Sequence, residues 1–351
     1  MAERDGPSVL IVGAGLAGVA CGLALDAAGY RVRIADKGRK PGGRLATRTS
    51  GGAPSLMGED APWRFDHGAQ YLTARGEDLR AALEGLVARG SAARWDARFA
   101  TLSPDGLEPE RESPPRYVGV PGMTQIAGQL AFDLDLALEA EVAPPARMAA
   151  QNEGGGWDLG DFGAADIFLT TAPAAQSRAL LAAAPDLAAK TEGAAYEPCI
   201  AAMIGLDRRI ELPADAFFVD DPEGVLRWAA VNGAKPGGPE GTTCLTLHGT
   251  ADWSAARLDA DADVSKYALW RRFRDLSGEA LGGSSWPEPT YHRGHRWRYA
   301  RAVSFVAPVY DADARAGFAG DWAPPDADGA GRAEDAWASG CALAAQVIAA
   351  G

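Results

Sequence analysis

Four cysteines and four histidines are all this chain of 351 residues holds of the side chains that most often form disulfides or ligate metals. Cys21, Cys199, Cys244 and Cys341 are scattered and form no C-x-x-C pair. That excludes a disulfide scaffold and a dithiol motif, so all four read as small buried apolar residues. The histidines show no metal-ligand spacing, and no metal is expected. Long apolar runs are missing too: nothing approaches the roughly 18 uninterrupted apolar residues of a membrane span. Positive charge is in deficit, with 34 basic against 47 acidic residues and a net charge of −13. Such a surface repels nucleic acid and anionic membranes, although local arginines can reverse the field for a small anionic substrate. Met1 to Ser8 run directly into an apolar strand and leave no room for a signal peptide, so a cytoplasmic protein is expected. Internal repeats are absent. The one biased stretch, Ala323 to Gly331, is rich in Pro, Asp and Gly and reads as a loop.

The most informative feature present is a glycine-rich turn near the start. Val9 to Val12 is a short, β-branched apolar run of the kind buried on both faces of a sheet. It leads into Gly13-Ala14-Gly15-Leu16-Ala17-Gly18. In this pattern Gly13 allows the sharp turn, Gly15 lets a pyrophosphate approach the backbone, and Gly18 lets the next helix pack on the sheet. That helix is expected over Leu16 to Ala28, with Gly29 as its cap. Its N-terminus offers free N–H groups and the positive end of a dipole to phosphates. Arg31 to Ala35 reads as a second strand ending at Asp36, whose carboxylate can accept both ribose hydroxyls of an adenosine. Asp36 also disfavours a 2′-phosphate, while Lys37, Arg39 and Lys40 read as a solvated basic turn.

Lys37 to Arg48 reads KGRKPGGRLATR. A GGR shortly after the ribose acid resembles the second flavin motif of the amine-oxidase-like flavoproteins. The resemblance implies that Gly43 and Arg44 lie beside the pyrophosphate of a non-covalent FAD, with Arg44 as a planar phosphate partner. Phe65 to Tyr71, FDHGAQY, is similar to a segment of the renalase-like branch and implies that His67, Gly68, Ala69 and Gln70 pass near the flavin. Further segments fit that branch in order: Val118 to Met123, Ala165 to Pro173, Leu247 to Ser254, the HRWRYA of His295 to Ala300, and Ala319 to Trp322. By the same resemblance the Val142 backbone meets the adenine, and Asp321, after Gly320, meets the ribityl chain. Two departures stand out. The ribose acid is Asp rather than the commoner Glu, and the segment after Asp321 is unusually rich in Pro, Asp and Gly.

The expected fold class is α/β, a Rossmann-like FAD-binding domain with a second domain built on a mostly antiparallel sheet. The first is expected to be discontinuous, from residues 1–75, 117–190 and 311–351. The second takes residues 76–116 and 191–310. Helices are expected over Leu79 to Arg89, Thr124 to Leu134, Ala175 to Ala183, Ala262 to Leu276 and Ala333 to Ala349. Strands are expected over Ala137 to Val142, Ala164 to Ala172, Ile200 to Leu206, Ala216 to Val219, Leu226 to Val231, Thr243 to His248 and Gly317 to Asp321.

A flavin supplies the redox chemistry, so the protein's part is to orient a substrate. No nucleophile–histidine–acid arrangement is visible. Trp297 and Tyr299, two apart on a strand, face one side. With His248 at a strand end and Trp228, they are the candidates for the substrate pocket, although each fits a packing role equally well. The renalase-like resemblance implies oxidation of dihydronicotinamide isomers, the 2- and 6-dihydro forms of NAD(P), with O₂ as acceptor and H₂O₂ as product. An amine oxidase of the same superfamily, a biosynthetic oxidoreductase or desaturase, and a non-catalytic binding protein are the rivals. The full set of flavin motifs argues against the last. The partner is expected to be a small molecule, dihydronicotinamide nucleotide or amine, and the protein a monomer or small homo-oligomer.

Overall fold

The structure is a computed structural model, which describes residues 6–50, 63–148, 155–281 and 286–351. Residues 1–5, at the head of the Met1 to Ser8 segment, lie outside the described residues. Two sheets organise the chain. The first runs in the order Val309–Asp311, Ala316–Phe318, Ile167–Thr170, Ser8–Val12, Arg31–Ala35, Asp135–Ala137. All its neighbours are parallel except the antiparallel edge strand Val309–Asp311. Ser8–Val12 lies at the centre, where Leu10 and Ile11 are almost wholly excluded from solvent. A continuous apolar run suits such a strand because helices cover both faces.

Leu16–Ala27 follows the glycine turn and packs against the closing helix Ala333–Ala349. The two approach so closely that a Cβ on Gly340 would sit 2.1 Å from the Ala17 carbonyl oxygen. Small residues along both helices permit that distance.

The second sheet has seven strands: Tyr291–Ser304, Ala195–Leu206, Thr243–Gly249, Leu226–Val231, Ala216–Val219, Phe99–Ser103 and Gly106–Pro109. It is antiparallel except where Ala216–Val219 runs parallel to Phe99–Ser103. Alternation divides its faces. Ile200, Ala202, Ile204, Leu245 and Leu247 meet Leu269, Phe273 and Leu276 of the helix Ala262–Leu281. The intervening residues, among them Ala201, Met203, Thr246, Trp228 and His248, face away from that helix. The fold is therefore a Rossmann-like domain joined to a second domain on a mostly antiparallel sheet, as the sequence leads one to expect.

Several element boundaries differ from the expectation. The strand expected over Ala137 to Val142 instead covers Asp135–Ala137. Glu139 adopts φ 54°, a left-handed conformation that ends a strand, and Pro144 and Pro145 follow. The expected strand Ala164 to Ala172 splits into Ala164–Ala165, part of a small three-stranded sheet, and Ile167–Thr170. The last strand covers Ala316–Phe318 rather than Gly317 to Asp321. The helix from Thr124 stops at Leu130, and the one expected over Ala175 to Ala183 is Ala174–Leu180, with Pro185–Ala189 following. Cys21, Cys199 and Cys244 are buried, whereas Cys341 is half-buried. Among the described residues, no helix is long and apolar enough to cross a membrane.

Candidate dinucleotide and substrate site

The glycine turn leaves the centre of the first sheet with the geometry a dinucleotide needs. A Cβ on Gly18 would lie 1.8 Å from the Gly13 carbonyl oxygen, so only glycine lets the helix start so close to the strand. Gly15 is the opposite case. A Cβ there would meet nothing within 4 Å, which leaves the N-terminus of the helix open. Leu16 and Ala17 are buried in the helix's first turn. Gly43 comes next to Gly15, its own Cβ position 3.8 Å from the Gly15 Cα. Asp36 ends the second strand and holds the turn in shape. One carboxylate oxygen accepts the Ala14 N–H at 2.7 Å and the other the Gly38 N–H at 2.6 Å. Each oxygen keeps a further lone pair for a ribose hydroxyl. Lys37 is exposed beside it. The open helix N-terminus, the adjoining glycines and the free acceptor capacity fit a bound dinucleotide.

Arg44 and Asp321 meet each other. The guanidinium makes two parallel bonds to the carboxylate, at 2.7 and 2.5 Å, and a third at 3.2 Å to the Ala300 carbonyl. Asp321 is almost completely buried and Arg44 partly so. The bidentate geometry joins the GGR turn to the turn that follows the last strand. Gly320, just before Asp321, donates its N–H to Ser339 Oγ of the closing helix at 2.9 Å. Tyr196 lies beside the pair, and burial together with the Asp321 carboxylate pushes its hydroxyl's pKa up. Tyr299 packs edge-on against Tyr196 with ring centroids 5.2 Å apart.

The FDHGAQY segment lies between the two sheets. Gly68 is pressed on the GGR turn, where a Cβ would sit 2.0 Å from the Arg44 carbonyl oxygen, and Ala69 donates its N–H to that oxygen at 2.8 Å. The His67 carbonyl accepts from two donors on different strands, Trp297 Nε1 at 2.8 Å and His248 Nε2 at 3.2 Å. The His67 ring stacks on Trp297 at 5.3 Å and meets His295 edge-on at 4.7 Å. Register explains the convergence, because His248 and His295 both lie opposite Ala201 on the two strands flanking it. Burial lowers the pKa of His67 to about 3 and of His248 and His295 to about 4. All three imidazoles are therefore neutral near pH 7. His67 Nδ1 is buried and has no hydrogen-bond partner among the described residues.

Beneath His67 runs a buried polar network that sequence reasoning missed. Lys235 Nζ lies 2.9 Å from Asp66 Oδ2 and from the Gln70 carbonyl oxygen, and 3.4 Å from Gln70 Oε1. Asp66 Oδ1 accepts from Thr47 Oγ1 at 2.6 Å and from the Met123 N–H at 2.9 Å. Asn232 Oδ1 accepts the Asp66 N–H, and Thr246 Oγ1 donates to the Asp66 carbonyl. Burial lowers the Lys235 pKa while Asp66 opposes the shift. Lys235 stands in a loop with no pattern to mark it, and in the sequence Asp66 is visible only as part of the FDHGAQY segment.

Two candidates lie apart from this centre. Trp228 is opposite His248 across the strands, yet its ring belongs to an aromatic cluster with Tyr71, Phe99 and Phe218. Arg116 stands over the Phe99 ring at 3.6 Å and pairs with Glu110, so this cluster is already filled. Val142 is buried with Trp157 and Leu159. Among the described residues, no group of three His, Cys, Asp or Glu side chains is placed to hold a metal.

Residues 11–86 match the family model of the NAD(P)-binding Rossmann-like domain. The whole chain is similar in structure to a wild-type putrescine oxidase bound to putrescine, with a TM-score of 0.68 and 15% identity over 98% of this chain and 99% of that one. It is similar also to cyclohexylamine oxidase from Brevibacterium oxydans IH-35A, with a TM-score of 0.70 and 16% identity over the same shares. At such identities the likeness is one of fold, and it extends over both sheets.

Proposed function

We propose that this protein is an FAD-dependent oxidoreductase acting on a small molecule. In this reading residues 1–75, 117–190 and 311–351 form the dinucleotide domain, and residues 76–116 and 191–310 form the substrate domain. The observation that carries it is the continuity of two sites. The open glycine turn leads through the Arg44–Asp321 pair to the centre formed by His67, His248, His295 and Trp297. Bound along that path, FAD would accept a hydride from the substrate and pass the electrons to O₂, giving H₂O₂.

The residues' own roles are to position and to exclude water. Trp297 offers a flat face for a planar substrate, its orientation fixed by the His67 carbonyl and the stacked His67 ring. His248 uses Nε2 on that carbonyl, so its Nδ1 is left as an acceptor. His67 Nδ1 is a second group in need of a partner. Neutral imidazoles make hydrogen bonds but take no proton strongly, which suits a substrate that is already electron-rich. Dihydronicotinamide isomers are such substrates, and the FDHGAQY and HRWRYA segments favour them. The similarity of fold to putrescine and cyclohexylamine oxidases favours the second reading, an amine.

Anaerobic mixing of the purified protein with the 2- or 6-dihydro isomers of NAD(P) tests the first reading. Bleaching of the flavin, with colour restored by air, is expected. Absence of bleaching in a sample that dithionite reduces would overturn it. Bleaching by an amine instead would establish the second.

A further inference from the structure

One strand of the second sheet serves the histidine–tryptophan centre and also reaches back to the first domain. Ala195–Leu206 carries Ala201, flanked by His248 and His295, and its second residue is Tyr196. The Tyr196 hydroxyl accepts the Ala174 N–H at 3.0 Å, so the side chain reaches the start of the helix Ala174–Leu180. That helix follows Ile167–Thr170, the parallel neighbour of the strand from which the glycine turn springs. Two further contacts place the ring. Trp322, next to Asp321, donates its Nε1–H to the Ala172 carbonyl at 3.0 Å, two residues before Ala174. Arg44 donates to the Ala300 carbonyl, and the adjacent Tyr299 meets the Tyr196 ring edge-on. Tyr196 therefore flanks the Arg44–Asp321 pair, on the stretch between the glycine turn and His67, and both charges act on its hydroxyl.

A phenol oxygen that accepts one hydrogen bond still has a proton to give. Tyr117 gives its proton to Glu84 Oε1 at 2.6 Å. The Tyr196 proton has no acceptor among the described residues, and both oxygens of Asp321 are taken by Arg44. That proton stays in place near pH 7, because burial, and after it the Asp321 charge, pushes the hydroxyl's pKa up. The bond accepted from Ala174 polarises the O–H and makes it a better donor. The hydroxyl is thus a donor anchored by a backbone N–H beside the path proposed for the cofactor.

We infer that Tyr196 is a cofactor-binding residue whose hydroxyl donates to an oxygen of bound FAD, on the phosphate or ribityl stretch beside Arg44 and Asp321. The inference rests on the reading of this protein as an FAD-dependent oxidoreductase. It goes beyond that reading by drawing a strand of the substrate domain into the cofactor site. That one strand then holds the cofactor through Tyr196 and sets the register of the substrate centre through Ala201.

Titration of the full chain, freed of flavin, with FAD tests it, with flavin fluorescence as the readout. Tyr196→Phe keeps the ring and removes only the hydroxyl. It is expected to raise the Kd for FAD about fivefold or more. A role limited to the Ala174 bond would lower the melting temperature of the FAD-free protein and leave the FAD affinity of the folded chain unchanged. Melts of the FAD-free parent and variant therefore accompany the titration, which is run where both are folded. ADP-ribose, which has the pyrophosphate but neither ribityl chain nor flavin, is the second probe. An equal loss for ADP-ribose and FAD places the acceptor on a phosphate, and a loss for FAD alone places it on the ribityl chain. An FAD affinity unchanged in Tyr196→Phe overturns the inference. The oxidoreductase reading fails separately, in a parent protein that binds no FAD.

Discussion

Lys235 stands in an environment that its residue type rarely prefers, buried between the two sheets. Its ammonium and the Asp66 carboxylate are both almost wholly buried, and together they fix the segment that carries His67. Removing one partner of such a pair leaves the other charge desolvated. Lys235→Met is expected to lower stability by roughly 3–5 kcal/mol. The exposed pair of Arg33 and Asp135 has a similar bond length, 2.7 Å, but both partners stand half in solvent. Arg33→Met is expected to cost less than about 1 kcal/mol. Denaturant unfolding of the two variants checks the contrast. Equal losses would mean that burial does not govern the Lys235 pair.

The glycine turn makes a corresponding contrast at the scale of the element. Gly15 has extended backbone, φ −75° and ψ 180°, and open space at its Cβ position. Gly15→Ala is expected to change stability by less than about 1 kcal/mol while obstructing the approach of a pyrophosphate. Gly18→Ala instead forces a methyl group against the Gly13 carbonyl and must move the helix off the strand. Its expected cost is about 1–3 kcal/mol or more. Thermal melts with and without added FAD separate the two effects. The Gly15 variant should melt like the parent without FAD and gain less from adding it, and the Gly18 variant should melt lower in both conditions. A low melting point for Gly15→Ala would show that the turn has no such opening.

Across the whole molecule, the three imidazoles at the join between the sheets tie stability to pH. Their ordinary pKa is 6.5, and burial lowers His67 to about 3 and His248 and His295 to about 4. The unfolded chain therefore binds more protons than the folded one between those limits. The stabilisation is full above pH 6.5 and is lost as the pH falls towards 4, at roughly 1.4 kcal/mol per pH unit for each histidine that stays neutral. Urea unfolding between pH 7 and pH 4 is expected to show this decline, and replacing His67 by Gln is expected to make it shallower. A stability independent of pH over that interval would mean that the histidines titrate normally in the folded protein.

What the sequence determined by itself is local or periodic. The first βαβ unit is legible because its strand, glycine turn and helix are contiguous and each glycine answers a backbone requirement within a few residues. The closing helix Ala333–Ala349 has the expected limits, and the antiparallel character of the second sheet follows from its run of short alternating strands. Boundaries set by one backbone conformation were less legible, as at Glu139, where the alternation continues past the end of the strand. The convergence at His67 was decided only by tertiary structure. Lys235 reaches Asp66 across 169 positions of sequence and Trp297 reaches the His67 carbonyl across 230. His248 and His295 come together because both pair with Ala201. Trp228, opposite His248, is instead held in an aromatic cluster filled by Arg116. Strand register and the packing of one sheet on the other select such partners, and neither leaves a signature at any single position of the chain.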